Sequence, residues 1–262
     1  NVGDISYTPQ SFSNDFIDVV KRYAENGGNI IVCGLADYQD GVGEYSSSTQ
    51  LNKLLEAIGA TTRINNDEVV DNDNKVNNQN YRLAFNNYNM DSQFLSGVVP
   101  EQNYSFYSGC SVALNNDAVA AGNASWLVKG YDSTYSIDSN SNTPGVSVAK
   151  GDVVALAAEK LSGGGNIFVA GTVFMSNFEV QASLDNYGDL QNSNYNIIVN
   201  ILDNVKKTLD ITPIKDVRSA EIGDVFCIEG YVTAGTQEGN SFFDTIYVQD
   251  ETAGINVFPV AN

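Results

Sequence analysis

The stretch Gly27-Gly-Asn-Ile-Ile-Val-Cys-Gly34 decides the fold prediction, because it occurs a second time with the same spacing. The second copy reads Gly164-Gly-Asn-Ile-Phe-Val-Ala-Gly171. A short continuous apolar run bounded by glycine is typical of a strand that is covered on both faces. Two such runs indicate two strands of one sheet, whereas a single echo does not indicate a solenoid repeat.

Helical spacing surrounds these two runs. The segment 11–26 places five apolar side chains on one stripe, namely Phe12, Phe16, Val19, Val20 and Tyr23. Further helices are predicted at 49–58 and 194–209, and 153–161 is predicted to be helical or a strand followed by a helix. We therefore predict an α/β fold for residues 1–211, with a layered sheet of the flavodoxin or amidotransferase type and flanking helices.

The last fifty residues have a different pattern. The segments 222–233 and 244–258 alternate apolar and polar residues and indicate about three strands, as at the start of a small β-barrel. Thr212-Pro213 forms a natural boundary before them, since the residue before proline avoids helical geometry. We predict a truncated all-β segment over 212–262. An open barrel leaves edge strands unpaired, so we expect the chain to be one piece of a longer protein.

Composition excludes several classes of function. The chain has 13 basic and 32 acidic residues, a net charge of -19 and no histidine. This charge disfavours nucleic acid and anionic membrane as partners, and no apolar run is long enough to span a membrane. Without histidine, Ser-His-Asp and Cys-His catalysis are impossible within the chain. The cysteines Cys33, Cys110 and Cys227 lie far apart, and we expect buried free thiols.

Two polar loops are candidate ligand sites. Asp138, Asn140 and Asn142 offer oxygen ligands at alternate positions, as in the first half of a calcium loop, although the later positions of that motif do not match. A solvated turn explains the same residues. Asp71-Asn-Asp73-Asn has the same character with a weaker pattern. Calcium is therefore a possible cofactor of the 138–142 loop, and no other cofactor is indicated.

A second acidic loop follows the first predicted strand. It contains Asp37, Asp40 and Glu44. Ligands of open α/β sheets bind beyond the carboxyl ends of strands, so these carboxylates are placed to bind a cation or to supply a general base. An acidic surface loop is the alternative interpretation. A carboxylate-and-metal hydrolase would require such acidic residues to converge in one cleft.

The glycine-bounded strands and three further phrases resemble the glutamine-amidotransferase-like α/β domains of large secreted Gram-positive proteins. These phrases are Tyr104-Ser-Phe-Tyr-Ser-Gly-Cys-Ser111, Gly151-Asp-Val-Val-Ala-Leu-Ala-Ala158 and Gly171-Thr-Val-Phe-Met-Ser-Asn-Phe-Glu179. The tail, with Ile246-Tyr-Val-Gln-Asp-Glu-Thr-Ala-Gly-Ile255, resembles an OB-fold-type module found beside secreted nucleases and phosphoesterases. Because no histidine can activate a cysteine, the amidotransferase activity does not carry over.

This resemblance implies a non-catalytic accessory region of a secreted or cell-wall-associated multidomain hydrolase, such as a subtilisin-like peptidase or a phosphoesterase. Its expected partners are the other domains of the parent chain. The alternative is a calcium- or carbohydrate-binding module. Nucleic-acid binding by the tail is not expected, because residues 219–262 contain no lysine or arginine.

Overall fold

The computed structural model describes residues 11–38, 40, 43–140, 147–176, 179, 192–205, 211–221, 224, 226–235 and 246–258. The chain divides into two compact units, Asn1–Val205 and Lys206–Asn262.

The first unit consists mainly of short strands with a few helices. The helices are α1 (Asn14–Glu25), α2 (Ser47–Ala57), α3 (Asn116–Ala120) and α4 (Asn194–Val205). The strands are β1 (Ile30–Cys33), β2 (Arg63–Ile64), β3 (Glu68–Val70), β4 (Lys75–Val76), β5 (Gln79–Phe85), β6 (Asn87–Tyr88), β7 (Tyr104–Tyr107), β8 (Val112–Ala113), β9 (Ala124–Lys129), β10 (Tyr135–Ile137), β11 (Val154–Lys160) and β12 (Asn166–Ala170).

A five-stranded sheet with the order β1-β12-β11-β9-β6 forms the centre of this unit. The two echoed runs are its neighbouring strands β1 and β12, which run parallel with Ile30 opposite Ile167. At the start of this pair, the side-chain oxygen Oδ1 of Asn29 accepts a 2.8 Å hydrogen bond from the backbone nitrogen of Asn166. The structure thus confirms that the repeated sequence forms two strands of one sheet.

The predicted flavodoxin-like fold is wrong. Among the described strands, β1 and β12 form the one parallel pair inside a sheet, and β12-β11, β11-β9 and β9-β6 are antiparallel. Smaller antiparallel sheets, β10-β3, β2-β8 and β4-β5-β7, complete the unit. A doubly wound fold needs a helical crossover before each parallel strand, but β12 follows β11 after a short turn.

The segment 153–161 explains this error. It was predicted to be helical, at least in part, but it forms β11, in which six of seven residues are buried. A continuous apolar run does not distinguish a doubly covered strand from a buried helix by its periodicity. Tertiary packing on both faces selects the strand.

The central sheet separates two hydrophobic clusters. Ile167 belongs to the cluster that includes Leu54 and Leu55 of α2, whereas Phe168 belongs to the cluster that includes Phe85 and Phe106. Neighbouring residues of a strand face opposite sides of the sheet, so β12 contributes to both clusters.

Helix α1 exposes part of its predicted apolar stripe. Ile17 and Ala24 are its buried residues, whereas Phe16, Val19 and Tyr23 are 44%, 54% and 54% exposed. Phe12 stacks on Phe16 with the ring centroids 4.9 Å apart. Phe12 and Val20 are partly buried against the core, so Phe16, Val19 and Tyr23 form the exposed part of the predicted stripe.

The second unit contains α5 (Ile214–Val217) and an antiparallel sheet of β13 (Tyr231–Ala234), β14 (Ile246–Gln249) and β15 (Gly254–Val257), in the order β13-β14-β15. Asp250 organises this unit. Its carboxylate accepts hydrogen bonds from the backbone nitrogens of Ile214 at 2.8 Å and Thr252 at 2.7 Å. The bond from Ile214 is the main cause of the lowered pKa of Asp250.

Candidate functional site

The two ligand loops predicted from sequence meet at Asp37. Its carboxylate is 1% exposed and accepts hydrogen bonds from the backbone nitrogens of Ser139 at 2.9 Å and Asn140 at 3.1 Å. The Ser139 hydroxyl donates a further short hydrogen bond to the same carboxylate. Asp37 therefore joins the loop after β1 to the loop after β10, and its acceptor sites are occupied by protein donors.

The other two carboxylates of the first loop have separate positions. Asp40 accepts hydrogen bonds from the backbone nitrogen of Ser47 at 2.8 Å and from its hydroxyl at 2.9 Å, so it caps the start of α2. Glu44 is exposed in a 3₁₀ turn at Gly43–Tyr45, where its hydrogen bond and charge raise the pKa of the Tyr45 hydroxyl. The loop thus distributes its acidic side chains over three structural settings.

The predicted calcium loop is divided in the same way. Asp138 is exposed and Asn140 is buried, while Asn142 lies outside the described residues. Within the described part of the chain, no group of three or more Asp, Glu, Cys or His side chains is placed to hold a metal ion.

Two further acidic residues, Asp67 and Glu68, lie close to Asp37. Asp67 is fully buried and accepts hydrogen bonds from Ser111, from the backbone nitrogen at 2.8 Å and from the hydroxyl at 2.5 Å. Burial raises the pKa of Asp67, and the nearby charge of Asp37 adds to this, while hydrogen bonds from Ser111 and Ser136 act against it. Burial likewise raises the pKa of the neighbouring Glu68. Adjacent carboxyls with a raised pKa are typical of acid–base centres.

These carboxyls differ in exposure. Asp37 and Asp67 are 1% and 0% exposed, whereas Glu68 is partly exposed. Their hydrogen-bond partners are serine hydroxyls and backbone nitrogens. The arrangement stabilises the loops at the carboxyl edge of β1, because buried carboxylates require such donors to offset desolvation.

The thiols at this edge have raised pKa values. Burial raises the pKa of Cys33 to about 12, and it raises the pKa of the fully buried Cys110 well above its usual value. The chain has no histidine that could counter this effect. Thiolate, not thiol, is the reactive species, so the raised pKa lowers the reactivity of both thiols at neutral pH.

Cys110 also explains the glycines that end the echoed strands. A Cβ atom at Gly34 would lie 2.5 Å from the Cys110 sulfur, and one at Gly171 would lie 1.9 Å from the Cys110 carbonyl oxygen. Cys110 also donates a backbone hydrogen bond of 2.9 Å to the Gly171 carbonyl. Both strands end in glycine because the chain at Cys110 passes directly against them.

Sequence reasoning missed Asp67 and Asp71 as organising residues. Asp71 is fully buried and accepts from the backbone nitrogens of Asp73 and Asn74 and from the hydroxyls of Ser133 and Thr134. Asp71 was noted only as part of a weak Asp/Asn pattern. Its hydroxyl partners lie about sixty residues away and have no distinguishing sequence pattern.

Comparison with known proteins assigns this chain to no family. No protein-family model matches the chain, and no curated protein matches it significantly. A solved structure described as "mmIFT52 N-terminal domain" is similar. Its TM-score is 0.52, with 18% identity over 77% of this chain and 75% of that chain. At this identity the likeness shows the fold alone.

The comparison corrects the resemblance drawn from sequence. The prediction of an amidotransferase-like module with an OB-like tail from secreted Gram-positive proteins was wrong, because the similar structure is a domain of an intraflagellar transport protein. The extracellular or cell-wall localisation derived from that resemblance was wrong for the same reason. Short glycine-bounded strands occur in many α/β proteins, so they do not specify one family.

The described helices were also compared with the dimensions of a bilayer. None of them is both long and apolar enough to cross a membrane.

Proposed function

We propose that this chain is a non-catalytic binding module that acts by contacting other proteins or other domains of a longer chain. The observation that carries the proposal is the state of the groups at the carboxyl edge of β1. The carboxylates of Asp37 and Asp67 are enclosed and satisfied by protein donors. The thiols of Cys110, which is buried, and Cys33, which is partly buried, both have a raised pKa. These carboxylates and thiols are the groups at this edge that could perform chemistry, and we infer that they stabilise the fold instead.

An exposed apolar stripe on α1 supports the binding role. Phe16, Val19 and Tyr23 are each about half exposed on one side of the helix. Large apolar side chains that are grouped on a surface mark contact sites more often than isolated ones do. Aromatic residues are also enriched in the centres of protein interfaces.

Photo-crosslinking tests the binding role. Benzoylphenylalanine replaces Tyr23 in one variant and Tyr107 in a control, since Tyr107 is 44% exposed on β7. We expect a discrete protein adduct in extract of the source cells from position 23 and none from position 107. Equal labelling from both positions, or no adduct at position 23, would contradict a binding surface on α1.

Enzyme assays test the non-catalytic part. We expect the purified chain to turn over no peptide, phosphoester or glutamine substrate. Turnover that Asp67→Asn abolishes would overturn the proposal. A calcium titration followed by thermal unfolding examines the alternative drawn from the 138–142 loop, since a cation that binds the native state raises its melting temperature.

A further inference from the structure

Strand β1 is an edge of the central sheet. Among the described strands, β12 is the one that pairs with it. The backbone nitrogen of Gly34 donates to the carbonyl oxygen of Ala170 at 2.7 Å, so the even-numbered residues of β1 direct their N–H and C=O groups toward β12. The N–H and C=O groups of Ile31 and Cys33 therefore point away from β12, to a side where the described chain supplies no strand.

The sequence of β1 does not protect this edge. Edge strands of natural sheets are commonly blunted by charged side chains, proline or a bulge. Strand β1 reads Ile-Ile-Val-Cys and pairs with β12 without a register shift. Ile30 and Val32 pack in one hydrophobic cluster. Ile31 and Cys33 pack against the other. A strand that is apolar on both faces is typical of the interior of a sheet, where it has a neighbour on each side.

Helix α1 borders one face of this edge strand. Its last turn lies on the residues that lead into β1, because a Cβ atom at Gly28 would come within 2.3 Å of the Tyr23 ring. On the same face, Ile17 of α1 belongs to the cluster that contains Val32. The exposed apolar stripe of α1 therefore continues to the start of the open edge.

Helix α4 borders the other face. The side-chain nitrogen of Asn29 lies 3.5 Å from the carbonyl oxygen of Val205, the last residue of α4. Ile201 is buried in the cluster against which Ile31 packs. Leu202 shares a stripe of α4 with Val205 and is 56% exposed. Each face of β1 is thus bordered by a helix that leaves large apolar side chains exposed.

We propose that β1 binds an extended segment of a partner protein as an added strand, an inference that rests on the proposed function as a protein-binding module. Such a strand supplies backbone donors and acceptors to Ile31 and Cys33, and its side chains lie between the exposed apolar residues of α1 and those of α4. Main-chain hydrogen bonds provide the affinity of strand addition, and alternate side chains provide its specificity. The partner segment should carry apolar side chains on both faces.

Two other occupants fit this edge less well. A partner helix would cover the apolar side chains, but its backbone groups bond within the helix and would leave those of Ile31 and Cys33 unpaired. A second copy of this chain would bring together two net charges of -19, which oppose association. The partner is therefore a different chain with an uncharged, extended segment.

Amide hydrogen exchange of the purified chain tests whether the edge is open. The N–H groups of Ile30 and Val32 face β12 and should be protected. Those of Ile31 and Cys33 should exchange at least about ten-fold faster, because no ladder bond holds them. Equal protection at all four positions would show that the chain itself already pairs with this edge, and the inference would be overturned.

Photo-crosslinking from position 23 tests the mode of binding. Ile31→Pro removes the outward N–H group and leaves those that face β12. Ile31→Ala is the control, since it also loses the side chain but keeps the N–H group. The yield of the partner adduct should fall by at least about ten-fold with proline and by less than about three-fold with alanine. Equal yields from two variants that are folded by circular dichroism would overturn the inference.

Exchange in the purified adduct is a second measurement that does not need the proline variant. The amides of Ile31 and Cys33 should become protected when the partner is attached at position 23. The partner peptide identified by mass spectrometry should contain a proline-free run of at least four uncharged residues, to match the four residues of β1. Unchanged exchange at both amides, a charged or proline-containing segment, or an adduct between two copies of this chain would overturn the inference.

These outcomes separate the inference from the proposed function. An adduct at position 23 that leaves the amides of Ile31 and Cys33 unprotected removes strand addition and keeps the binding module. Absence of any adduct at position 23 removes both, because a strand beside β1 lies next to the stripe of α1.

Discussion

Ser139 donates both its backbone N–H and its hydroxyl to the carboxylate of Asp37, across 102 residues of sequence. This contact closes the carboxyl edge of β1 against the loop after β10. Each of the two loops, taken alone, offers oxygen atoms to a ligand. Together they satisfy each other, and the acidic residue at their meeting point supports the fold.

Replacing Asp37 by asparagine should therefore destabilise the protein. The amide would turn an N–H group toward donors that now bind a carboxylate, and the free energy of unfolding should fall by about 2–4 kcal/mol. Urea denaturation followed by circular dichroism measures the change. Asp91→Asn, an exposed change of the same chemistry, should stay within about 0.5 kcal/mol of wild type. Equal stability of the two variants would show that Asp37 contributes nothing.

The thiols should differ sharply in reactivity. Cys110 is buried and Cys33 is partly buried, and both have a raised pKa, whereas Cys227 is exposed. Native protein at pH 8 should react with a disulfide reagent at one thiol per chain, and unfolded protein at three. Cys227→Ser should leave the native protein without a fast-reacting thiol. Rapid modification of that variant would contradict the raised pKa of Cys33 and Cys110.

Gly171 should not tolerate a side chain. An alanine Cβ there would lie 1.9 Å from the Cys110 carbonyl oxygen, so the chain at Cys110 would have to shift and the free energy of unfolding should fall by more than about 2 kcal/mol. Gly254→Ala is the control, because its Cβ would meet nothing closer than 3.7 Å. Thermal unfolding of both variants checks the prediction, and similar melting temperatures would refute the close approach.

Asp71 should make stability depend on pH in the acid range. Its folded pKa lies below the usual 3.8, so its stabilisation is present above 3.8 and is lost as the pH falls through the lowered value. Asp71→Asn should cost about 1–3 kcal/mol at pH 7. The difference from wild type should shrink as the pH falls below 3.8, as far as both proteins remain folded.

Urea titrations between pH 7 and pH 3 measure this difference. Asp132→Asn, an exposed change next to Ser133, should leave the free energy of unfolding at pH 7 unaltered within about 0.5 kcal/mol. A difference between Asp71→Asn and wild type that grows on acidification would contradict the lowered pKa.

Much of the secondary structure was accessible from the sequence, but the fold class was not. Glycine-bounded apolar runs predicted β1 and β12, and helical spacing predicted α1. The sheet was misjudged because β11 reads as a helix or a strand equally well when both of its faces are buried. Reading that segment as partly helical produced a parallel, helix-connected sheet in place of an antiparallel one.

The candidate sites divide in the same way. The sequence identified the loop residues, among them Asp37, Asp40 and Asn140, because polar side chains that follow a predicted strand are candidate ligands. Their partners were not found, since Ser139, Ser111 and Thr134 carry no distinguishing pattern of their own. The contacts of Asp71 had no sequence signal, because its partners come from the separate segments 73–74 and 133–134.

By itself the sequence determined that two copies of one apolar run pair in a sheet, and that histidine-dependent chemistry is impossible. Both follow from residue identity and local order. Only the tertiary structure decided that Asp37 and Asp67 are enclosed while Asp73 and Asp132 face solvent. The physical reason is that the burial and the hydrogen-bond partners of an aspartate depend on segments up to about a hundred residues away. The local sequence around a buried aspartate therefore does not differ from that around an exposed one.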